Sequence, residues 1–462
     1  MKRIVSILPL LAVLLWPTVA PASSRQFVTF EAPRELLNAS TRESTLDQIQ
    51  SFGVTHVRQL VYWRDYAPAP DSRVKPNFDA TDPAAYPADR WAKLDELVVA
   101  ARKREIQLTL TLTGPVPRWA TRDKRDQLSY PDAKEFGAFA TAIGRRYGGE
   151  VAMWSIWNEP NQPQFLKPQY RKRKPYSPKL YRQLYRAAYA GLRATPANAQ
   201  DTILIGETSP RGNQNVVRPL AFLRGMLCLD SKWRKRKSCR TLDADGYAHH
   251  AYTTSAGPRF KPPSKDDVTI GVLSRLVKAL DRAAKAKALP AKLPIHLTEF
   301  GIQSTPDKIA GVSLERQAAY RAVSEHIAYV NPRVASFSQY LMSDDPPRER
   351  GYRYAGFESG LRRSDGRPKP AYEGFRLPLA VEVYGRNDVL WGLVRPFRGV
   401  TQVTIERRLK GSKTWKVLKT LNTTARGVFG FKTKHRSGQR YRVIWTSPDG
   451  QTHTGPPVRG YR

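Results

Sequence analysis

Cysteine is almost absent from this 462-residue chain, which holds only Cys228 and Cys239. That excludes a disulfide-framed small scaffold and, without neighbouring ligands, a zinc module. In an oxidising compartment the pair is expected to form one bridge around a short basic stretch, stabilising by about 2–3 kcal/mol through loop closure. Two unpaired thiols are the alternative. Acidic residues are scarce too, 40 against 77 lysines and arginines, giving a formal net charge of +37. Such a field attracts polyanions. The basic runs nonetheless contain no nucleic-acid recognition motif, so nucleic acid is not an expected partner. An acidic polysaccharide, an anionic cell envelope or a plain solvated surface each fits the charge.

Long apolar runs are missing except at the N-terminus. There Lys2 and Arg3 precede an apolar run from Ile4 to Ala20, and Ala20-Pro21-Ala22 follows as a small-x-small cleavage site. Residues 1–22 therefore read as a secretory signal peptide, and the protein as secreted, extracellular or envelope-associated. An uncleaved anchor is disfavoured by Pro9 and Pro17, and the mature chain is expected to have no membrane span. With 40% hydrophobic and 10% aromatic residues, the chain is globular despite its 36 prolines.

Short apolar strands alternate with helical segments from Gln26 to about Phe375, a parallel α/β order. In 107–113, Leu108, Leu110 and Leu112 alternate with threonines. Counting such runs gives 27–30, 56–60, 107–113, 151–157, 203–206, 246–250, 295–298 and 335–341. Eight of them predict a closed (β/α)8 barrel rather than an open doubly wound sheet, because no glycine-rich phosphate loop follows the first strand. Ser40 with Glu43 predicts a capping box ahead of Leu46, Ile49 and Phe52; Asp132 and Ser313 introduce two further helices. After Pro378 the texture turns to β-branched alternation and polar turns, which predicts a small C-terminal β-sandwich. The expected domains are thus 23–378 and 379–462.

A barrel of this kind carries its active site at the carboxyl ends of the strands. Two glutamates stand there: Trp154-Ser-Ile-Trp157 runs into Asn158-Glu159-Pro160, and Ile295-His-Leu-Thr298 runs into Glu299-Phe300-Gly301. Carboxyls on opposite strands suit glycoside cleavage, in which one donates a proton to the leaving oxygen and the other attacks the anomeric carbon or activates water. Either glutamate alone fits a structural ion pair equally well.

Asn158-Glu159-Pro160 ending a fourth strand, with Glu299 ending a seventh, resembles clan A of the retaining glycoside hydrolases, which includes family 5 cellulases and family 39 enzymes. The resemblance spans about Gln26 to Phe375. It implies Glu159 as general acid/base, Glu299 as nucleophile and Asn158 as a ligand of the sugar 2-hydroxyl. Arg58 in Val57-Arg58-Gln59 matches the clan's arginine beside the nucleophile, with an ordinary buried ion pair as the alternative. His250-Ala251-Tyr252 resembles its His-x-Tyr element, whose tyrosine bonds the nucleophile; His249 competes with His250 for that place. Glu207 either contacts substrate or braces Arg58.

The third strand ends in Thr113-Gly114-Pro115, without the histidine common in family 5, and the eighth gives Gln339-Tyr340 in place of a tryptophan. These departures put the sugar in doubt, not the chemistry. Trp63, Trp119 and Tyr340 are expected to offer flat faces to sugar rings, Trp63 and Trp119 from loops facing the cleft. Arg171-Lys-Arg-Lys174 falls on the catalytic rim and the Cys228–Cys239 segment on the far rim. The expectation is hydrolysis of an oligosaccharide or polysaccharide by double displacement, with no metal or organic cofactor. Transglycosylation by the same residues and non-catalytic carbohydrate or cell-wall binding are the competing readings.

Overall fold

The computed structural model describes residues 26–461, so the expected signal peptide lies outside the described residues. Eight strands, β1 (Phe27–Glu31), β2 (His56–Tyr62), β3 (Gln107–Thr113), β4 (Val151–Ile156), β5 (Thr202–Thr208), β6 (Gly246–His250), β7 (Ile295–Glu299) and β8 (Val334–Tyr340), form a closed barrel. All neighbours are parallel, including β8 against β1. Between and after them run α1 (Arg42–Ser51), α2 (Ala88–Arg102), α3 (Ala133–Tyr147), α4 (Ser177–Arg193), α5 (Pro219–Met226), α6 (Ser274–Lys285), α7 (Leu314–Tyr329) and α8 (Pro370–Arg376).

The helix starts follow local hydrogen bonding. Asp132 accepts from the amides of Lys134 and Glu135 at the head of α3, and Ser313 accepts from Arg316 at the head of α7. The capping box at Ser40 does not form: Asn38 accepts both the Ser40 amide and hydroxyl, at 3.0 and 2.9 Å, and α1 begins only at Arg42. Glu43 pairs instead with Arg104. In β3 the leucines join the hydrophobic core, while Thr111 and Thr113 turn into the barrel, where each accepts a hydrogen bond.

The C-terminal strands are β9 (Leu379–Tyr384), β10 (Asn387–Leu393), β11 (Gln402–Arg408), β12 (Lys416–Asn422), β13 (Val428–Lys434), β14 (Arg440–Thr446), β15 (Thr452–Thr454) and β16 (Val458–Arg459). They make two antiparallel sheets, β9-β10-β13 and β12-β11-β14-β15 with β16 on β14. Val381, Leu390, Val403, Ile405, Phe429, Val443 and Trp445 fill a core of their own, as in a β-sandwich. This unit docks on α7, where Ala322 and Val323 pack with Ala380, Trp391 and Leu393. Arg395 reaches across the same seam to a buried ion pair with Glu325, which also binds Arg321 at 2.8 Å.

Candidate active site

At the carboxyl end of the barrel the backbone departs from regular strand to aim side chains inward. Trp157, Glu159 and Glu207 have φ of 69°, 37° and 50°, a region that costs non-glycine residues free energy and collects at functional sites. Glu207 is the extra residue of a bulge, for Gly206 pairs with Ala248 and Thr208 with His249. Gly206 makes the bulge possible: its φ is 118°, and a Cβ there would stand 2.6 Å from the Ala248 carbonyl. A second irregularity, between Ala248 and His250, brings His250 level with Glu299 on β7.

Arg58, fully buried on β2, organises what converges there. Its Nη1 donates to Glu31 Oε1 at 2.8 Å and to Glu299 Oε1 at 2.9 Å. Its Nη2 donates to Asn158 Oδ1 at 2.8 Å and to Glu207, and its Nε to Thr111 at 2.9 Å. Tyr252 donates to the other oxygen of Glu299 at 3.1 Å. His250 bridges the remaining carboxyls, with Nδ1 3.0 Å from Glu159 Oε1 and Nε2 3.0 Å from Glu207 Oε2. One oxygen each of Glu159 and Glu299 and one His250 nitrogen lie within 4.8 Å of one another. These are metal-ligating types, but Glu299 already accepts from a guanidinium and a phenol, so the arrangement suits proton transfer and carboxylate attack better than a cation.

Four carboxyls around two cationic groups cannot all ionise at equal ease. Burial raises the pKa of Glu159, and the nearby Glu299 and Glu207 carboxylates add to the rise against an opposing pull from His250. Burial likewise pushes Glu31 up to about 8. Burial also raises Glu207, but Arg58 and His250 outweigh it and bring this carboxyl down to about 2. His250 is lowered by burial yet carried up to about 10 by the carboxylates of Glu299, Glu159 and Glu207. It therefore stands as an imidazolium donating from both nitrogens. Burial lifts Tyr252 well above its ordinary value, which keeps the phenol a donor.

A cleft of about 570 Å³ opens over this cluster, and Asn158, Glu159, Tyr252, Glu299 and Tyr340 line it. Glu207 braces Arg58, and Ser155 donates to its other oxygen at 2.8 Å. His249 faces away, bonded to Thr208 and the Val268 carbonyl, which leaves His250 as the histidine of the site.

The tryptophans require correction. Trp63 is 0% exposed, begins a short helical turn and stacks on Phe139, because β2 runs on to Tyr62 and delivers Tyr62, not Trp63, to the cleft. Trp119 is 5% exposed, packs edge-on against Trp63 and donates to the Pro68 carbonyl. Neither lines the cleft, so the aromatic walls are Tyr62, Phe165, Tyr252, Tyr340 and Phe357. Sequence reasoning also passed over Glu31, although it ends β1 as Glu299 ends β7; the same rule would have found it. Phe165, Arg348 and Phe357 come from long loops and carried no local signal. The Cys228–Cys239 disulfide is present.

A (β/α)8 barrel that sets two carboxyls at the ends of its fourth and seventh strands defines an O-glycosyl hydrolase of clan A. Residues 18–340 match the profile of cellulase (glycosyl hydrolase family 5), well over half of the chain, and the protein belongs to that family. The fold is shared with solved structures at low identity. A family 39 enzyme from Xanthomonas axonopodis pv. citri aligns with TM-score 0.53 and 17% identity over 95% of each chain. A GH5_18 protein from Streptomyces cattleya, in complex with GlcNAc, gives TM-score 0.53 and 16% identity over 77% of this chain and 79% of its own. A family 39 glycoside hydrolase from Bacteroides cellulosilyticus WH2 gives 0.50 and 17% over 88% and 80%. No curated protein sequence matches significantly.

Proposed function

We propose that the protein is a secreted retaining glycosidase that cleaves an O-glycosidic bond by double displacement. Glu299 attacks the anomeric carbon while Glu159 protonates the departing oxygen; Glu159 then takes a proton from the water that releases the sugar from Glu299. The observation that carries the reading is the approach of Glu159 and Glu299 oxygens to within 4.8 Å. Retaining enzymes hold their carboxyls about 5–5.5 Å apart, whereas inverting ones leave about 6.5–9.5 Å for a water between them. The unequal environments add support: Glu159 is raised toward the protonated form, and Glu299 keeps two donors on its two oxygens. Asn158, anchored through Oδ1 on Arg58, is assigned to the sugar 2-hydroxyl. The catalytic unit is assigned to 23–378 and a β-sandwich to 379–462, with 1–22 removed on export.

The substrate is an oligosaccharide or polysaccharide, β-linked by analogy with the clan. A second reading of the sugar has an observation in its favour. Arg348 lines the cleft and, among the described residues, meets a carbonyl rather than a carboxylate, which suits a uronate substituent. The test is a panel of neutral and uronate aryl β-glycosides with product anomers followed by NMR. Release of the anomer of unchanged configuration, and a trapped sugar on Glu299 by mass spectrometry, are expected. Inversion at the anomeric carbon would overturn the mechanism. An added sugar acceptor tells hydrolysis from transglycosylation.

A further inference from the structure

The connection from α5 into β6 enters the barrel at the end opposite Glu159 and Glu299. It carries Lys232, Arg234, Lys235, Arg236 and Lys237, yet it is firmly held. The Cys228–Cys239 bridge closes it. Asp230 accepts the amides of Lys232 and Arg234 at 2.8 and 2.9 Å, and Lys235 Nζ donates to Thr241 and to the Lys287 carbonyl at 2.9 and 2.7 Å. Across from this loop stands the last turn of α6 with Arg282 and Lys285. Between the two lies a cavity of about 800 Å³ lined by Lys232, Arg234, Lys235, Arg282, Lys285 and Trp233, with no acidic residue on its wall. Among the described residues, of these cations only Arg234 pairs with a carboxylate, Asp230 at 2.7 Å.

Cations in the final turn of a helix are ordinary, since they offset its dipole, and that accounts for Arg282 and Lys285. It does not account for three more converging on them from a stapled loop, where like charges repel and cost folding free energy. The shape narrows what relieves that repulsion. The guanidiniums of Arg224 and Arg282 stand over the Trp233 ring, 5.5 and 6.0 Å from its centre. The half-buried ring braces Arg282, so the positive charge around it is held in place rather than free to spread into solvent. Cations arrayed along an open depression, on the loop and on the helix turn facing it, suit an extended anionic chain.

We propose that this cavity is a docking site for an acidic polysaccharide, held by Lys232, Lys235, Arg282 and Lys285 on the end of the barrel away from hydrolysis. Such a site tethers the enzyme to a charged glycan while the cleft stays free.

The test measures binding of polygalacturonate to the full-length protein by calorimetry between about 50 and 200 mM salt, the range in which polyanion binding weakens steeply. It compares wild type, Lys232→Gln/Arg282→Gln/Lys285→Gln, and a charge-matched control, Lys413→Gln/Lys416→Gln/Lys419→Gln, on β12 and the loop before it. The cavity variant is expected to bind about tenfold more weakly and to lose about 0.7 of salt slope per removed contact, as for flexible polyanions, while the control stays near wild type. Circular dichroism should match wild type in both variants, and the unfolding midpoint of the cavity variant should be no lower than wild type, since removing like charges relieves repulsion. No binding by wild type, or equal losses in both variants, would overturn the proposal. So would tighter binding of phosphatidylglycerol vesicles or single-stranded DNA to the same residues.

Discussion

Two clusters of buried charge in this protein are built with opposite surpluses. At the barrel mouth Arg58 and His250 face four carboxyls, Glu31, Glu159, Glu207 and Glu299. At the seam between α7 and the C-terminal strands, Arg321 and Arg395 face Glu325 alone. Burial acts on both, and the sign of the surplus decides the outcome. Where acid is in excess, carboxyls retain protons: Glu159 is raised and Glu31 reaches about 8. Where base is in excess, Glu325 is raised by burial but lowered further by its two arginines, and it stays a carboxylate. Only the first cluster has a proton to give, and only it meets a cleft; the Glu159 side chain keeps 15% exposure against 4% for Glu325. The same residue types thus make a proton-transfer site in one place and a fastener in the other.

The sharpest break between them is in turnover. Glu299→Ala and Glu159→Ala are each expected to lower kcat on an unactivated glycoside by at least about 10³-fold, with the unfolding midpoint little changed. The two differ with a dinitrophenyl glycoside, whose leaving group needs no proton. Glu159→Ala then forms the glycosyl-enzyme at near wild-type rate and stalls before water attack, while Glu299→Ala stays inactive. Pre-steady-state release of the phenol checks this, and equal loss in both variants would remove the division of roles.

At the seam the same kind of change reads out as stability. Glu325→Gln leaves Arg321 and Arg395 buried without a counter-charge, and removing one member of such a pair costs about 3–5 kcal/mol. Urea unfolding is expected to show that loss, with kcat per folded molecule unchanged. A drop in kcat at full folding would mean the seam reaches the site through Gln339, which accepts from Arg321 at 2.9 Å beside Tyr340.

Much of the acid-rich cluster was legible because each member lies within a strand or no more than three residues past its end. A barrel turns that place in the sequence into a place at the mouth, so Glu159 and Glu299 could be read from strand ends, while Arg58, Asn158, His250 and Tyr252 were pointed out by the clan resemblance. The cleft wall was not, because Phe165, Arg348 and Phe357 reach it from loops whose paths depend on tertiary packing. Trp63 and Trp119 misled for a related reason: an indole just past a strand looks the same in sequence whether the chain turns it toward sugar or under Phe136 and Phe139. At the seam the partners lie 70 positions apart, so nothing in the sequence linked Glu325 to Arg395.

Within the mouth, pH separates carboxyls by the state each holds. Glu207, brought from an ordinary 4.5 to about 2, contributes stability that is complete above 4.5 and lost as pH falls toward 2. Glu31, pushed from 4.5 to about 8, works the other way: the folded state holds the extra proton, so its contribution is present below 4.5 and lost as pH rises through 8. Glu31→Gln imitates the protonated carboxyl. It is expected to flatten the fall in unfolding free energy between pH 5 and 8, and to change kcat at neutral pH only a few-fold. Glu207→Gln strips a charge from Arg58 and His250 and is expected to cost more in both stability and kcat. Equal behaviour of the two variants would remove the distinction drawn between them.

The smallest effect is expected where the whole fastener is exchanged. Arg321→Met/Glu325→Leu/Arg395→Met removes both charge signs together, so no ion is stranded, and replacements of this kind are commonly neutral or stabilising by about 1–4 kcal/mol. Two costs oppose the gain here. The Phe375 carbonyl loses the Arg395 donor at 2.5 Å, and Gln339 loses that of Arg321. Each orphaned acceptor costs about 1–3 kcal/mol. The terms nearly cancel, and the triple variant should unfold within about 2 kcal/mol of wild type, far less perturbed than Glu325→Gln alone. Equilibrium unfolding in urea decides it. A triple variant as unstable as the single would mean the seam depends on the geometry of its hydrogen bonds rather than on balanced charge, and that the two clusters are more alike than their surpluses imply.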